Sequence, residues 1–248
     1  MNRLRLSGLL LAVTALSVTS GRAQTPPATV AGMSVRLMSW EGELSDLLLA
    51  DGTTFLPARA GEFILGRAVF LNRKTPTMRV FREQTVEGAK RKLPVADVPL
   101  PEGTSSVLVM LAPAPAGSAL PIQGRALDQS LEVHPLNTVR IVNFSNRTLA
   151  LRVGEKTSVS APGADDRFPF PAGGAPQVPV EVAVNTPEGW QLVQRSLQPA
   201  PAGRRILVVV RDGRPDLSIQ DPSLRTKPVD AVFLIDRAPP APVSVAQK

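Results

Sequence analysis

The chain contains no cysteine, no tyrosine, a single histidine and only 4% aromatic residues. Without thiols there is no disulfide framework, no thiol nucleophile, no haem attachment and no thiolate metal site. The one imidazole, His134, has no second histidine to share a metal and no evident nucleophile to activate. Scarce aromatic rings argue against the stacking platforms used for sugars and single-stranded nucleic acid. After the first 20 residues, no apolar run approaches the length of about 20 residues that spans a bilayer. No nucleophile, base and orienting group stand out together, so no catalytic residue, metal or cofactor is expected.

What is present begins with Arg3 and Arg5, the apolar run Leu9 to Val18, and the small residues Gly21 and Ala23. A basic start, an apolar core of about ten residues and a small-residue exit predict a secretory signal peptide, 1–23, cut after Ala23. A short linker, 24–32, follows, and the expected location is periplasmic or secreted, with no transmembrane insertion. Removing Arg3, Arg5 and Arg22 and no acid lowers the formal charge from +7 to +4.

Proline is abundant, 25 of 248 residues, and with glycine it divides the rest into apolar stretches of five to nine residues. That is the punctuation of short strands joined by turns. Val178, Val180, Val182 and Val184 alternate with Pro179, Glu181 and Ala183, as in a strand that buries one face. Further strands are expected at Met33 to Trp40, Phe63 to Leu71, Leu127 to Val133 and Arg205 to Arg211, among others. The fold class is therefore all-β.

A weak internal repeat sharpens this. Val35-Arg36-Leu37-Met38 matches Val139-Arg140-Ile141-Val142, an offset of 104, and Pro101-Glu102-Gly103 before Val107 to Leu111 matches Pro201-Ala202-Gly203 before Ile206 to Val210. A period near 100 residues is the size of a domain. Two tandem immunoglobulin-like β-sandwich domains are predicted, 33–118 and 119–237, with one larger mixed sandwich as the alternative. Residues 238–248, rich in Ala and Pro, read as a disordered tail.

The segments Ala126 to Ser130, Val139 to Ser145, Leu149 to Gly154, Gly189 to Val193 and Arg205 to Val209 resemble a loose group of uncharacterised exported bacterial β-sandwich proteins. That group has no assigned activity, so the resemblance implies an exported β-protein and no site residue. Two-domain periplasmic pilus chaperones offer an analogy of architecture only.

Single residues have ordinary readings. His134 reads as a turn residue, Asp165-Asp166 as a turn lacking the alternate spacing of a Ca²⁺ loop, and Asn143 and Asn146 as turn formers. Trp40 and Trp190 read as sandwich core. Charge is less even. Arg67, Arg73, Lys74, Arg79, Arg82, Lys90, Arg91 and Lys92 face only Glu83 and Glu87, a local net of +6 within residues 67–92. Such a segment is a possible anion-binding patch. The function expected is a non-enzymatic binding or structural module of the cell envelope, its partner an envelope protein or an anionic envelope polymer. The alternative is a chaperone-like assembly factor acting through a sheet edge.

Overall fold

The computed structural model describes residues 32–72, 75–213 and 227–237, and these form β-structure with no helix. The predicted signal peptide, most of the linker, Arg73, Lys74 and the tail lie outside the described residues. In the first half, β1 (Met33–Ser39), β4 (Val69–Leu71), β7 (Ser106–Pro113) and β8 (Ile122–Asp128) make one sheet in the order β4-β1-β7-β8. Facing it, β2 (Leu44–Asp51), β3 (Thr54–Ala60), β5 (Thr77–Val86) and β6 (Ala89–Pro99) make another, β3-β2-β5-β6.

The second half repeats the plan. β9 (Thr138–Asn143), β12 (Asp165–Pro169), β15 (Arg204–Asp212) and β16 (Val229–Arg237) are ordered β12-β9-β15-β16. They face β10 (Leu149–Val153), β11 (Lys156–Ser160), β13 (Gln177–Thr186) and β14 (Gly189–Pro199), ordered β11-β10-β13-β14. Among the described residues no sheet mixes strands of the two halves, so the architecture is two tandem β-sandwiches and not one mixed sandwich.

The repeat holds to the residue. Val35 pairs with Val107 across a parallel β1–β7 ladder, and Val139 pairs with Ile206 across a parallel β9–β15 ladder. Leu37 opposite Val109 then matches Ile141 opposite Val208. The domain boundary differs from the sequence reading. β8 pairs with β7 and belongs to the first sandwich, so the chain crosses over within residues 129–137 and not after residue 118. Pro113 to Ser118 are only the turn of that hairpin. The strand expected at Leu127 to Val133 is accordingly β8, ending at Asp128.

The central strands of the β1 and β9 sheets are buried on both faces. Val35, Leu37, Val107, Val109 and Leu111 point into the first sandwich, and Val139, Ile141, Ile206, Val208 and Val210 into the second. The intervening residues Met38, Leu108, Met110 and Leu127 meet Val142, Leu207, Val209 and Leu234 in a third core between the sandwiches. This explains why Val107 to Leu111 and Ile206 to Val210 are continuous apolar runs, the signature of strands covered on both sides. By register, these eight residues are four equivalent pairs, Met38 with Val142, Leu108 with Leu207, Met110 with Val209 and Leu127 with Leu234. Each repeat thus offers the same face to the other, as the two subunits of an isologous dimer do. At roughly 1.5–3 kcal/mol per buried aliphatic side chain, this core is large enough to hold the two sandwiches as one body.

The edge of the first sandwich is shaped by a close approach at Gly66. Its amide donates to the Leu37 carbonyl at 2.9 Å. A Cβ there would lie 2.6 Å from that oxygen and 3.1 Å from the Arg59 carbonyl oxygen. Both obstacles are backbone, so Gly66→Ala is expected to lower stability by about 1–3 kcal/mol, readable as a lower urea midpoint at unchanged slope. An unchanged midpoint would mean the 61–68 segment is free to move aside.

Candidate binding surfaces

His134 sits in the crossing segment, in a turn as expected, but it is fully buried in a polar cluster at the seam between the sandwiches. Asp236 of β16 accepts from Arg36 of β1 through both oxygens, at 2.6 and 2.5 Å, and from Nε and Nη2 of Arg205 of β15 at 3.2 and 3.0 Å. Arg205, wholly buried, also donates to the carbonyls of Gln129 and His134 at 2.8 and 2.7 Å. The His134 Nδ1 lies 3.0 Å from Gln129 Oε1. Arg140, the counterpart of Arg36 in the repeat, reaches back to the Asp128 carbonyl, so the equivalent arginines of the two sandwiches each reach into the other.

Burial, and then the nearby cations of Arg205 and Arg140, lowers the His134 pKa to about 3. Burial alone would raise Asp236, but hydrogen bonds and charge from Arg36, then Arg205, outweigh it and keep the carboxylate below its usual range. The cluster is a structural clasp closed to solvent. It carries no open position for a reactant.

Asp165 and Asp166 are not a turn but the first two residues of β12. Asp165 accepts from Arg140 at 2.9 and 2.6 Å, an ion pair two dozen residues apart that spacing could not announce. Asn143 does form the expected turn, its Oδ1 accepting from the Ser145 amide at 3.0 Å and its Nδ2 donating to the Arg147 carbonyl at 2.9 Å. Trp40 packs edge-on against Phe63 and Phe144, with centroids 6.2 and 6.0 Å away. Trp190 departs from expectation: it is half exposed on a hairpin, not in a core.

Among the described residues of the basic segment, Arg67 lies at the β3–β4 edge, apart from the β5–β6 hairpin, and Arg79 and Arg82 point to opposite faces of β5; Arg73 and Lys74 lie outside the described residues. On the β5–β6 hairpin, Arg79 pairs with Asp97 at 2.7 Å, Lys90 with Glu83 at 2.9 Å, and Arg91 with Glu87 at 3.7 Å. Hydrogen bonds to Asp97 and Glu83 raise the pKa of Arg79 and Lys90. Lys92 stands 4.1 Å over the Phe55 ring, which in turn meets Phe81 edge-on. Strand pairing brings Asp97 opposite Arg79, a neutralising partner five residues beyond the segment's end.

The matching hairpin of the second sandwich has the opposite chemistry. A bulge interrupts the ladder after Val80 in one hairpin and after Val182 in the other. Counted from there, Trp190 takes the position of Lys92 and Leu192 that of Pro94. Lys and Pro are two of the means by which edge strands are kept from pairing with other chains. β6 has both at these positions and lies against β8; β14 has Trp190 and Leu192 there, its one proline being the terminal Pro199, and its contact with β16 is marginal. Among the described residues, 189–199 make no backbone-to-backbone hydrogen bond beyond their ladder with β13. No residue of β14 is buried, and its outer face presents Trp190, Leu192 and Leu197 at 50–58% exposure. Val159 of β11 joins Trp190 and Leu192 around a shallow groove of about 410 Å³, with Arg152 and Glu181 alongside.

The sequence signal of this surface is the substitution of Trp190 and Leu192 for Lys92 and Pro94 between the repeats, visible only once the repeats are aligned through the bulge. Comparison with protein-family models finds no match, and none of the curated proteins matches the chain, so the surfaces described above are the basis for reading function.

Proposed function

We propose that this protein is a non-enzymatic, exported binding module of the bacterial cell envelope, and that its partner is an envelope protein that lays an extended segment along β14. The observation that supports the reading is the edge of β14, which combines backbone donors and acceptors unpaired among the described residues with an exposed apolar face. An added strand satisfies these groups, and its alternate side chains cover Trp190 and Leu192. The same edge favours a second reading, a chaperone-like assembly factor; the two differ in whether the segment is kept or passed on.

The test is proximity crosslinking in native envelopes from a photoreactive residue at position 198, comparing two variants. Trp190→Glu with Leu192→Lys should abolish the discrete crosslinked species. Neutralising Lys90, Arg91 and Lys92 to Gln should leave it intact. The reverse pattern, with salt-sensitive attachment to anionic vesicles or lipopolysaccharide lost in the triple variant, would overturn the proposal and assign binding to the β5–β6 hairpin and an anionic envelope polymer.

A further inference from the structure

The open side of the first sandwich carries a groove of about 730 Å³ between β3 and the 61–70 segment. That is within the range of small-ligand sites. Its floor is Leu56, Ala58 and Val69, half-buried residues that already pack on the core of the first sandwich. Its walls are Ile64 and Phe70, 65% and 37% exposed, which is costly for large apolar side chains that a ligand could cover. Three charged residues stand around it. Arg59 is neutralised by its ion pair with Glu43, whereas Arg67 has no hydrogen-bond or ionic partner among the described residues. An apolar trough with one unpaired guanidinium is complementary to a molecule with an apolar chain and one anionic head.

We propose that this groove binds a single-chain fatty carboxylate, the acyl chain on Leu56, Ala58 and Val69 beneath Ile64 and Phe70, the carboxylate paired with Arg67. The site is on the opposite sandwich from β14 and does not depend on the reading of that edge. Arginine suits the head because its planar fork can donate two parallel hydrogen bonds to a carboxylate. The acyl chain gains by removing the half-buried apolar floor from water.

The experiment titrates the purified chain with cis-parinaric acid, a fatty acid whose polyene fluoresces in apolar surroundings. Saturable binding at one site is expected. Arg67→Gln should weaken it about tenfold, the scale of one charge-assisted hydrogen-bonded contact. The methyl ester of the same acid should bind the unaltered protein no better than the acid binds Arg67→Gln. Ala58→Trp, which fills the floor, should abolish binding, and Ile64→Glu at an exposed wall serves the same purpose if the tryptophan variant fails to fold. Trp190→Glu should change nothing. Absence of saturable binding, or binding unaffected by both floor and wall variants, would overturn the site; equal binding of acid and ester would overturn the role of Arg67.

Discussion

Replacing Asp236 with Asn is expected to destabilise the protein more than any other isosteric change at an ion pair. Among the described residues the carboxylate is the one acid paired with Arg36 and Arg205, whose side chains are 10% and 0% exposed. Removing it leaves two cations at a dry seam with no countercharge, and such uncompensated buried charge costs about 3–5 kcal/mol. For a chain of this size the melting temperature should fall by on the order of 10 °C. Asp97→Asn is the control, because its partner Arg79 is in solvent and exposed pairs contribute about 1 kcal/mol or less. If the two variants melt together, Asp236 is not the clasp between the sandwiches.

The second large effect is a dependence of stability on pH between 7 and 5. His134 is the only histidine and there is no cysteine, so few other groups titrate in that window. In the unfolded chain it takes up a proton near its ordinary value of 6.5; in the folded protein it stays neutral until about pH 3. The unfolded state therefore binds more protons throughout this range, and the His134 contribution falls as pH falls from 6.5 to about 3, while the carboxylates of Asp236 and Asp165, held below their usual range, add to the loss in acid. Between pH 7 and 5 the loss should be about 2 kcal/mol, or roughly 4–8 °C in melting temperature. His134→Gln should flatten that slope whatever it does to stability at pH 7. A slope that survives the substitution would place the titrating group elsewhere.

The tandem sandwiches were legible because their evidence is local. Turn residues and strand-length apolar stretches mark β-structure, and Val35 with Val139 and Val109 with Val208 recur in one order along the chain. β13 could be read residue by residue, since a strand with one buried face alternates. β3 and β6 do not read as strands from local pattern, for a related reason. Thr54–Ala60 contains Pro57, and Ala89–Pro99 contains Lys90, Arg91, Lys92 and Pro94, residues that disguise a strand because they belong on an edge.

The amino-acid sequence by itself determined the class and the repeat: that short strands joined by turns make the fold, which residues of β13 alternate, and that both halves follow one plan. Only the tertiary structure decided which faces meet and which stay open. A third core beneath Leu108 and Leu207, an ion pair between residues 36 and 236, and the contrast between Lys92 and Trp190 at one register position all join segments distant along the chain. Local pattern records whether a side chain prefers water or oil. It does not record what stands across the gap, and for the groove at Arg67 and the edge at β14 that is what leaves an apolar surface exposed.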